Sequence, residues 1–224
     1  MITDNFVFNG YNATVIIPDN PNGKWLWKTE FFYAFDQAEV QLCNMGYTRV
    51  YYEISNKYGS YNAIRLMHEF HKFVVKKYNL FAKTNLFGFS RGGLYAFNYA
   101  LFYPEMVEKV YFDAPVLDLK SWPPKGSLEQ EQMFAEYSLN SQTLQIFNGV
   151  PVSNLDEYFS YKIPTLLIAG NADEIVPLGE NGQLMIDYAV NTNQNFKYIV
   201  KNGCGHHPHS LEDVQPIIDF IDSK

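Results

Sequence analysis

The sequence predicts an α/β fold: a mostly parallel central sheet with helices on both faces and a short inserted segment. Two observations support this prediction. Short apolar runs of strand length alternate with longer amphipathic runs along most of the 224 residues, and parallel neighbours in a sheet require such helical crossovers. With 47% hydrophobic and 18% charged residues and no abrupt change in composition, residues 1–224 are expected to form one globular domain.

The first part of the chain is expected to begin with a β-hairpin and then to alternate between strands and helices. Asn9-Gly10 favours a tight turn, so residues 2–8 and 11–17 are predicted to be antiparallel strands. A strand at Trp25–Trp27 then precedes apolar residues that recur at helical spacing from Phe31 to Met45. The alternation continues with a strand at 49–54, a helix at 64–78, a strand at 85–89 and a helix at 94–102.

The second part interrupts this pattern once before resuming it. A strand at 107–112 is followed by residues 116–160, where a Pro-rich turn and weak helical character predict an inserted lid. The alternation then resumes with a strand at 165–169, a helix at 183–189, a strand at 196–200 and a terminal helix at 214–221. In a parallel sheet of this kind, functional loops lie at the carboxyl ends of the strands.

Charge and cysteine content exclude several classes of protein. Lys and Arg number 17 against 24 Asp and Glu, and the resulting net charge of −7 disfavours nucleic acid as a partner. No apolar run approaches the roughly 18 residues of a membrane span, and Met1–Asn5 lacks the pattern of a secretory signal. Cys43 and Cys204 indicate neither a disulfide framework nor a Cys-rich zinc module. We therefore expect a cytoplasmic protein.

The first functional motif is the pentapeptide from Gly88 to Gly92, which follows a predicted strand and precedes a predicted helix. Its pattern, Gly-x-Ser-x-Gly, is typical of a nucleophile elbow, in which a serine lies at a strained corner between strand and helix. Small residues flank the serine because the two backbones approach each other closely there. Ser90 is therefore expected to be exposed at the rim of the sheet.

Two later loops place an acid and several histidines at the same rim. Asp173 follows the predicted strand 165–169, three residues beyond Gly170. A Gly-rich loop with His206, His207 and His209 follows the strand 196–200. The order along the chain is thus serine, acid, histidine, which is the order of the α/β-hydrolase arrangement.

Over nearly its whole length the chain resembles the α/β-hydrolase superfamily, through Gly88–Gly92, Gly170–Pro177 and Gly205–Pro208. The resemblance implies that Ser90 is a nucleophile, that His206 is its general base and that Asp173 orients the imidazole. It implies reaction through an acyl-enzyme without a cofactor. His206 matches the base of the family because it directly follows Gly205.

Alternatives remain open for the base and for a metal. His207 and His209 are displaced from the register of His206 but lie in the same loop. Cys204 together with these three histidines is a potential metal cluster, because His-rich tracts bind zinc. No further pair of ligands is evident elsewhere, so the sequence predicts no metal site.

Alternatives also remain for the acid. Asp173 has a competing interpretation as the cap of the turn that follows it, and Asp113 or Asp118 would then supply the carboxylate. Glu174 is expected to be a solvated neighbour. His68 and His71 lack the spacing of a zinc-binding His-Glu-x-x-His motif, and we assign them no function.

The resemblance further implies an oxyanion hole, which requires backbone N–H donors. One donor is expected from Arg91, the residue after the nucleophile. The second is expected from Thr29 or Glu30, although the His-Gly pair common at this position in esterases is absent. Glu30 and Trp122 are candidate substrate-binding residues, with a surface salt bridge and packing against the body as their alternatives.

These features predict a serine hydrolase, with a small or medium polar carboxylic ester as substrate. A thioesterase, a peptidase or a C–C hydrolase would use much the same residues, so the fold does not choose among them. A ligand-binding protein that keeps the fold without catalysis is the alternative from another class.

Overall fold

The computed structural model describes residues 1–223, and it confirms the predicted α/β fold with eight strands in one sheet. The strands are β1 (Ile2–Phe8), β2 (Tyr11–Ile17), β3 (Trp25–Lys28), β4 (Thr48–Tyr52), β5 (Thr84–Phe89), β6 (Val107–Asp113), β7 (Thr165–Gly170) and β8 (Phe196–Lys201). The α-helices are α1 (Gln37–Asn44), α2 (Tyr61–Tyr78), α3 (Gly92–Phe102), α4 (Leu128–Tyr137), α5 (Leu155–Ser160), α6 (Gly182–Asn191) and α7 (Gln215–Asp222).

The sheet is parallel except at one edge. Its strand order is β1-β2-β4-β3-β5-β6-β7-β8, and only the β1·β2 and β2·β4 pairs are antiparallel. The hairpin predicted at Asn9-Gly10 forms that edge. All strands from β3 to β8 therefore end at the same rim, and the loops that follow β5, β7 and β8 meet there.

Side chains of the central strands alternate between two apolar layers. In β7, Leu166 and Ile168 pack with α1 and α7, whereas Leu167 and Ala169 pack with α2, α3 and α6 on the opposite face. This alternation follows from the two-residue repeat of a strand. Burial on both faces makes the central strands rigid supports for the loops at their ends.

The segment before α1 differs from the sequence prediction. Helical spacing predicted a helix from Phe31, but α1 begins at Gln37, and Phe31 and Phe35 have positive φ values of 56° and 50°. The phenylalanines share no helix face: Phe32 stacks on Tyr51 at 5.3 Å between ring centroids, and Phe35 lies 5.7 Å from the ring of His207. The phenylalanines thus recur at helical spacing in the sequence although each packs against a different part of the protein.

The segment between β6 and β7 contains α4 and α5 together with short 3₁₀ turns. α4 is held against the loop that precedes α2 by polar contacts. The Tyr58 hydroxyl donates to Gln132 at 2.7 Å, and Glu136 accepts from Lys57 at 2.9 Å and from the Ser60 hydroxyl at 2.7 Å. Among residues 1–223, no helix has both the length and the apolar character needed to cross a membrane.

Candidate active site

Ser90 lies at the junction of β5 and α3, in the strained conformation expected for an elbow. Its φ is 50°, a value that residues other than glycine rarely adopt. Neighbouring backbone fixes this conformation: the Ser90 amide donates to the Asp113 carbonyl at 2.9 Å, and the Ser90 carbonyl accepts from Val116 at 2.8 Å. The corner holds the hydroxyl at the rim of the sheet.

The two glycines of the pentapeptide lie where other backbone and side chains approach closely. A Cβ atom on Gly88 would lie 2.8 Å from the Cβ of Ala96 in α3, and one on Gly92 would lie 2.8 Å from the Thr29 hydroxyl. Both distances are shorter than a van der Waals contact. Glycine at these positions lets β5, α3 and the loop after β3 converge around Ser90.

Hydrogen bonds join Ser90, His206 and Asp173 in a line. His206 Nε2 lies 3.0 Å from Ser90 Oγ, and His206 Nδ1 lies 2.7 Å from Asp173 Oδ2. A carboxylate only accepts, so Nδ1–H donates to Asp173, and Nε2 is left to accept from the Ser90 hydroxyl. Asp173 is buried, and the His206 side chain is only 8% exposed. Ser90 is buried as well, so the expectation that it is exposed at the rim was wrong: the loops that converge around it cover the residue.

Asp173 makes both of the contacts that the sequence left as alternatives. Its Oδ1 accepts from the amides of Ile175 and Val176, each at 2.9 Å, while Oδ2 faces His206. The cap of the turn therefore holds the carboxylate in position toward the imidazole. Glu174 is exposed, in agreement with a solvated neighbour.

Asp113, one of the two alternatives to Asp173, is paired with a different histidine. Its Oδ1 lies 2.7 Å from His209 Nδ1, and its Oδ2 accepts from the amide of Ser210 at 2.8 Å and from the Tyr111 hydroxyl. Asp118, the other alternative, accepts from the amide of Lys120 at 2.9 Å. The sequence did not indicate the pairing of Asp113 with His209, because it offered Asp113 only as an alternative to Asp173 and His209 only as an alternative to His206.

The residues considered as oxyanion donors lie together beside Ser90, but one amide is already used. The Thr29 amide donates to the Phe87 carbonyl at 3.0 Å, continuing the β3·β5 pairing. Within residues 1–223, the amides of Glu30 and Arg91 donate no hydrogen bond to the protein. The Thr29 hydroxyl donates to the Gly92 carbonyl at 2.8 Å and so connects the two loops.

The side chains of Glu30 and Arg91 form an ion pair. Arg91 Nε and Nη2 lie 3.3 and 3.2 Å from Glu30 Oε2, which also accepts from the Ser55 hydroxyl at 2.9 Å. Burial raises the pKa of the Glu30 carboxyl, and the Arg91 guanidinium opposes that rise. Ser55 was missed at the sequence level because no motif marks it.

Trp122 is half-buried, and its ring centroid lies 6.2 Å from that of Tyr58. This contact is packing between the inserted segment and the body of the protein. A cavity of about 470 Å³ lies between α2, α3 and the inserted segment, and its lining includes Asn98, Glu136 and Phe147 but not Ser90. A role for Trp122 in binding substrate stays a prediction.

In residues 1–223, the group of potential metal ligands consists of three imidazoles. One potential ligand atom from each of His206, His207 and His209 lies within 4.8 Å of the others. Cys204, included in the cluster at the sequence level, is outside this group. Its thiol faces the carbonyls of His207 and Pro208 instead.

Comparison with known proteins defines the class of the chain. A family model described as alpha/beta hydrolase fold matches residues 36–151, and the chain belongs to this family. No curated protein matches the sequence.

Solved structures share the fold at low sequence identity. A puromycin-hydrolysing peptidase from Mycobacterium tuberculosis matches with a TM-score of 0.72 at 12% identity, over 96% of this chain and 37% of that one. Dipeptidyl peptidase 4 from Porphyromonas gingivalis has a TM-score of 0.69 and 13% identity, over 96% and 34%. A carboxylesterase from Lactobacillus plantarum has a TM-score of 0.68 and 13% identity, over 92% and 85%. The chain thus spans about a third of the length of the two peptidases and most of the carboxylesterase.

Proposed function

We propose that the protein is a serine hydrolase in which Ser90, His206 and Asp173 form the catalytic triad. One observation carries the proposal: His206 bridges Ser90 Oγ at 3.0 Å and Asp173 Oδ2 at 2.7 Å through its two ring nitrogens. A serine hydroxyl is a weak nucleophile unless an adjacent base takes its proton, and His206 Nε2 is oriented to do so.

In the proposed reaction, Ser90 Oγ attacks the acyl carbon of the substrate while its proton passes to His206 Nε2. Asp173 stabilises the resulting imidazolium through the Nδ1–H hydrogen bond. His206 then gives the proton to the leaving oxygen, and the acyl group remains on Ser90. Water activated by His206 releases the acid and restores the serine.

We further propose that the amides of Glu30 and Arg91 form the oxyanion hole. Both are free of hydrogen bonds to residues 1–223, and the ion pair between their side chains restrains their two loops. Donors fixed before the reaction stabilise the developing charge without reorganisation. The Glu30 side chain contacts Arg91 and Ser55 through Oε2, while its Oε1 makes no hydrogen bond to residues 1–223, and a role of this carboxylate in binding substrate stays a proposal.

For the substrate we propose a small or medium polar carboxylic ester. The match to a carboxylesterase over most of both chains supports an ester, whereas the matched peptidases contain large additional regions. Residues 116–160, with Trp122, are proposed as the lid that shapes the acyl site. A cytoplasmic location agrees with two cysteines that form no disulfide.

A fluorophosphonate probe tests catalysis without knowledge of the substrate, because it reacts with an activated serine. We expect the wild-type protein to be labelled and Ser90→Ala to remain unlabelled. Ester turnover by His206→Ala should fall about 10⁴-fold or more, since the triad acts as a unit. His207→Ala is the matched control, because His207 is exposed and, within residues 1–223, the Ser90 hydroxyl is hydrogen-bonded to His206 and not to His207.

A folded wild-type protein that resists labelling would contradict the proposal and favour a ligand-binding protein with the same fold. A severe loss of ester turnover in His207→Ala with only a mild loss in His206→Ala would show that the base is assigned to the wrong histidine. Assays with esters, thioesters and peptide substrates then separate the possible activities.

A further inference from the structure

The loop after β8 holds three imidazole rings face to edge around a common point. The ring centroids of His206, His207 and His209 are 5.0, 4.8 and 5.0 Å apart, and the rings are inclined to one another by 68°, 77° and 84°. Hydrolysis as proposed above requires only His206. The other two rings therefore need a separate explanation.

His206 and His209, the two less exposed histidines, are oriented as zinc-binding histidines are. Metal-bound histidine commonly donates its second ring N–H to a carboxylate, which fixes the ring and raises the basicity of the ligating nitrogen. His206 Nδ1 lies 2.7 Å from Asp173, and His209 Nδ1 lies 2.7 Å from Asp113. In residues 1–223, His209 Nε2 makes no hydrogen bond, and His206 Nε2 makes only the one with Ser90 Oγ at 3.0 Å, for which a metal ion would compete.

The spacing of the rings matches a three-histidine site. Zn–N bonds of about 2.0–2.1 Å at tetrahedral angles place the imidazole centroids about 5 Å apart, close to the separations observed here. Such a site also requires ligating nitrogens about 3.4 Å apart, whereas one ring nitrogen of each of the three histidines lies within 4.8 Å of one ring nitrogen of the others. Binding an ion would therefore require the nitrogens to move closer together.

The exposed ring of His207 is free to make that adjustment. In residues 1–223 its nitrogens form no hydrogen bond, and it stacks loosely on Phe35 with 5.7 Å between centroids. Its exposure makes this ring accessible to an ion in solvent. The imidazole donor set favours Zn²⁺ and its borderline neighbours over Mg²⁺ and Ca²⁺, which prefer oxygen.

We propose that His206, His207 and His209 bind one Zn²⁺-class ion reversibly and that this ion inhibits the enzyme. A metal on His206 Nε2 occupies the lone pair that would otherwise accept the Ser90 proton. The inhibition rests on the proposed function, but the binding does not.

Calorimetric titration of the full chain with ZnCl₂ tests the binding directly. We expect one ion per chain, no heat with MgCl₂, and affinity at least about tenfold weaker in His207→Ala. His68→Ala removes a half-buried histidine that stacks on Tyr103 outside this loop, so it should bind zinc as the wild type does. With Co²⁺, the wild type should also show visible absorption of a tetrahedral site.

Inhibition is measured by fluorophosphonate labelling and by ester turnover at increasing zinc concentrations. Zinc should suppress both in the wild type, a chelator should restore both, and His207→Ala should remain active at zinc concentrations that inhibit the wild type. Absence of zinc binding, or equal binding by the wild type and His207→Ala, would overturn the metal site. Zinc binding that depends on His207 in a protein that no probe labels would support the site and contradict the hydrolase.

Discussion

His71 in α2 is predicted to make folding stability depend on pH through a buried, neutral imidazole. Its side chain is 2% exposed, and the ring of Trp25 lies edge-on at 4.8 Å between centroids. His71 Nε2 lies 2.8 Å from the Ala82 carbonyl, and Nδ1 lies 2.9 Å from the Tyr99 hydroxyl. Nε2–H therefore donates to Ala82, and Nδ1 accepts from Tyr99, so the neutral ring is fully satisfied.

Burial lowers the pKa of His71 from 6.5 to about 4, with the Ala82 hydrogen bond opposing this shift. The unfolded chain therefore binds more protons than the folded one between these values, and stability falls as the pH decreases from 6.5 toward 4. From the two pKa values, the loss relative to neutral pH is about 2 kcal/mol at pH 5 and about 3 kcal/mol at pH 4.

Urea unfolding at pH 7 and pH 5 measures this loss. His71→Gln keeps an amide donor and an acceptor but does not titrate, so it is the matched control. The free energy of unfolding should fall by about 2 kcal/mol more in the wild type than in His71→Gln between the two pH values. Equal losses in the two proteins would show that His71 is not held neutral by burial.

Two further predictions concern the supports of the candidate active site. Asp173→Asn should lower kcat by about 10⁴-fold because it disturbs the tautomer of His206, whereas Asp113→Asn should lose mainly stability, about 1–3 kcal/mol. Ester kinetics and urea unfolding of both variants check this assignment, which the opposite ranking of kcat would contradict. Thr29→Val removes the hydroxyl that bonds the Gly92 carbonyl and should lower kcat about tenfold with KM unchanged, while Thr29→Ser should retain activity. An equal loss of kcat in both Thr29 variants would refute a positioning role for this hydroxyl.

Most of the fold could be predicted from the sequence, because the spacing of apolar residues and the residues that favour turns are properties of short segments. The Asn9-Gly10 hairpin, the buried β7 and the terminal helix α7 with Pro216 in its first turn all follow the predictions. The segment from Phe31 to Asp36 does not, because its phenylalanines pack against separate partners rather than along one helix face. Helical spacing cannot distinguish these two origins.

Residue type and order along the chain could not decide which side chains pair across the rim. Asp113 and Asp173 both follow a parallel strand, and His206 and His209 lie three residues apart in one loop. Their partners depend on the path of the loop after β8, which is fixed by long-range packing. The same holds for Thr29 and Glu30, since the β3·β5 pairing uses one amide and leaves the other free.

The sequence by itself determined the α/β fold, the position of Ser90 at a strand-to-helix corner, and the set of acids and histidines at the same rim. These follow from the spacing of apolar residues, the positions of glycines and the order of residues along the chain, all of which are visible in the sequence. Only the tertiary structure decided that Asp173 contacts His206, that Asp113 contacts His209, and that three imidazoles converge. Hydrogen bonds of this kind depend on positions fixed to within an ångström by elements far apart in sequence.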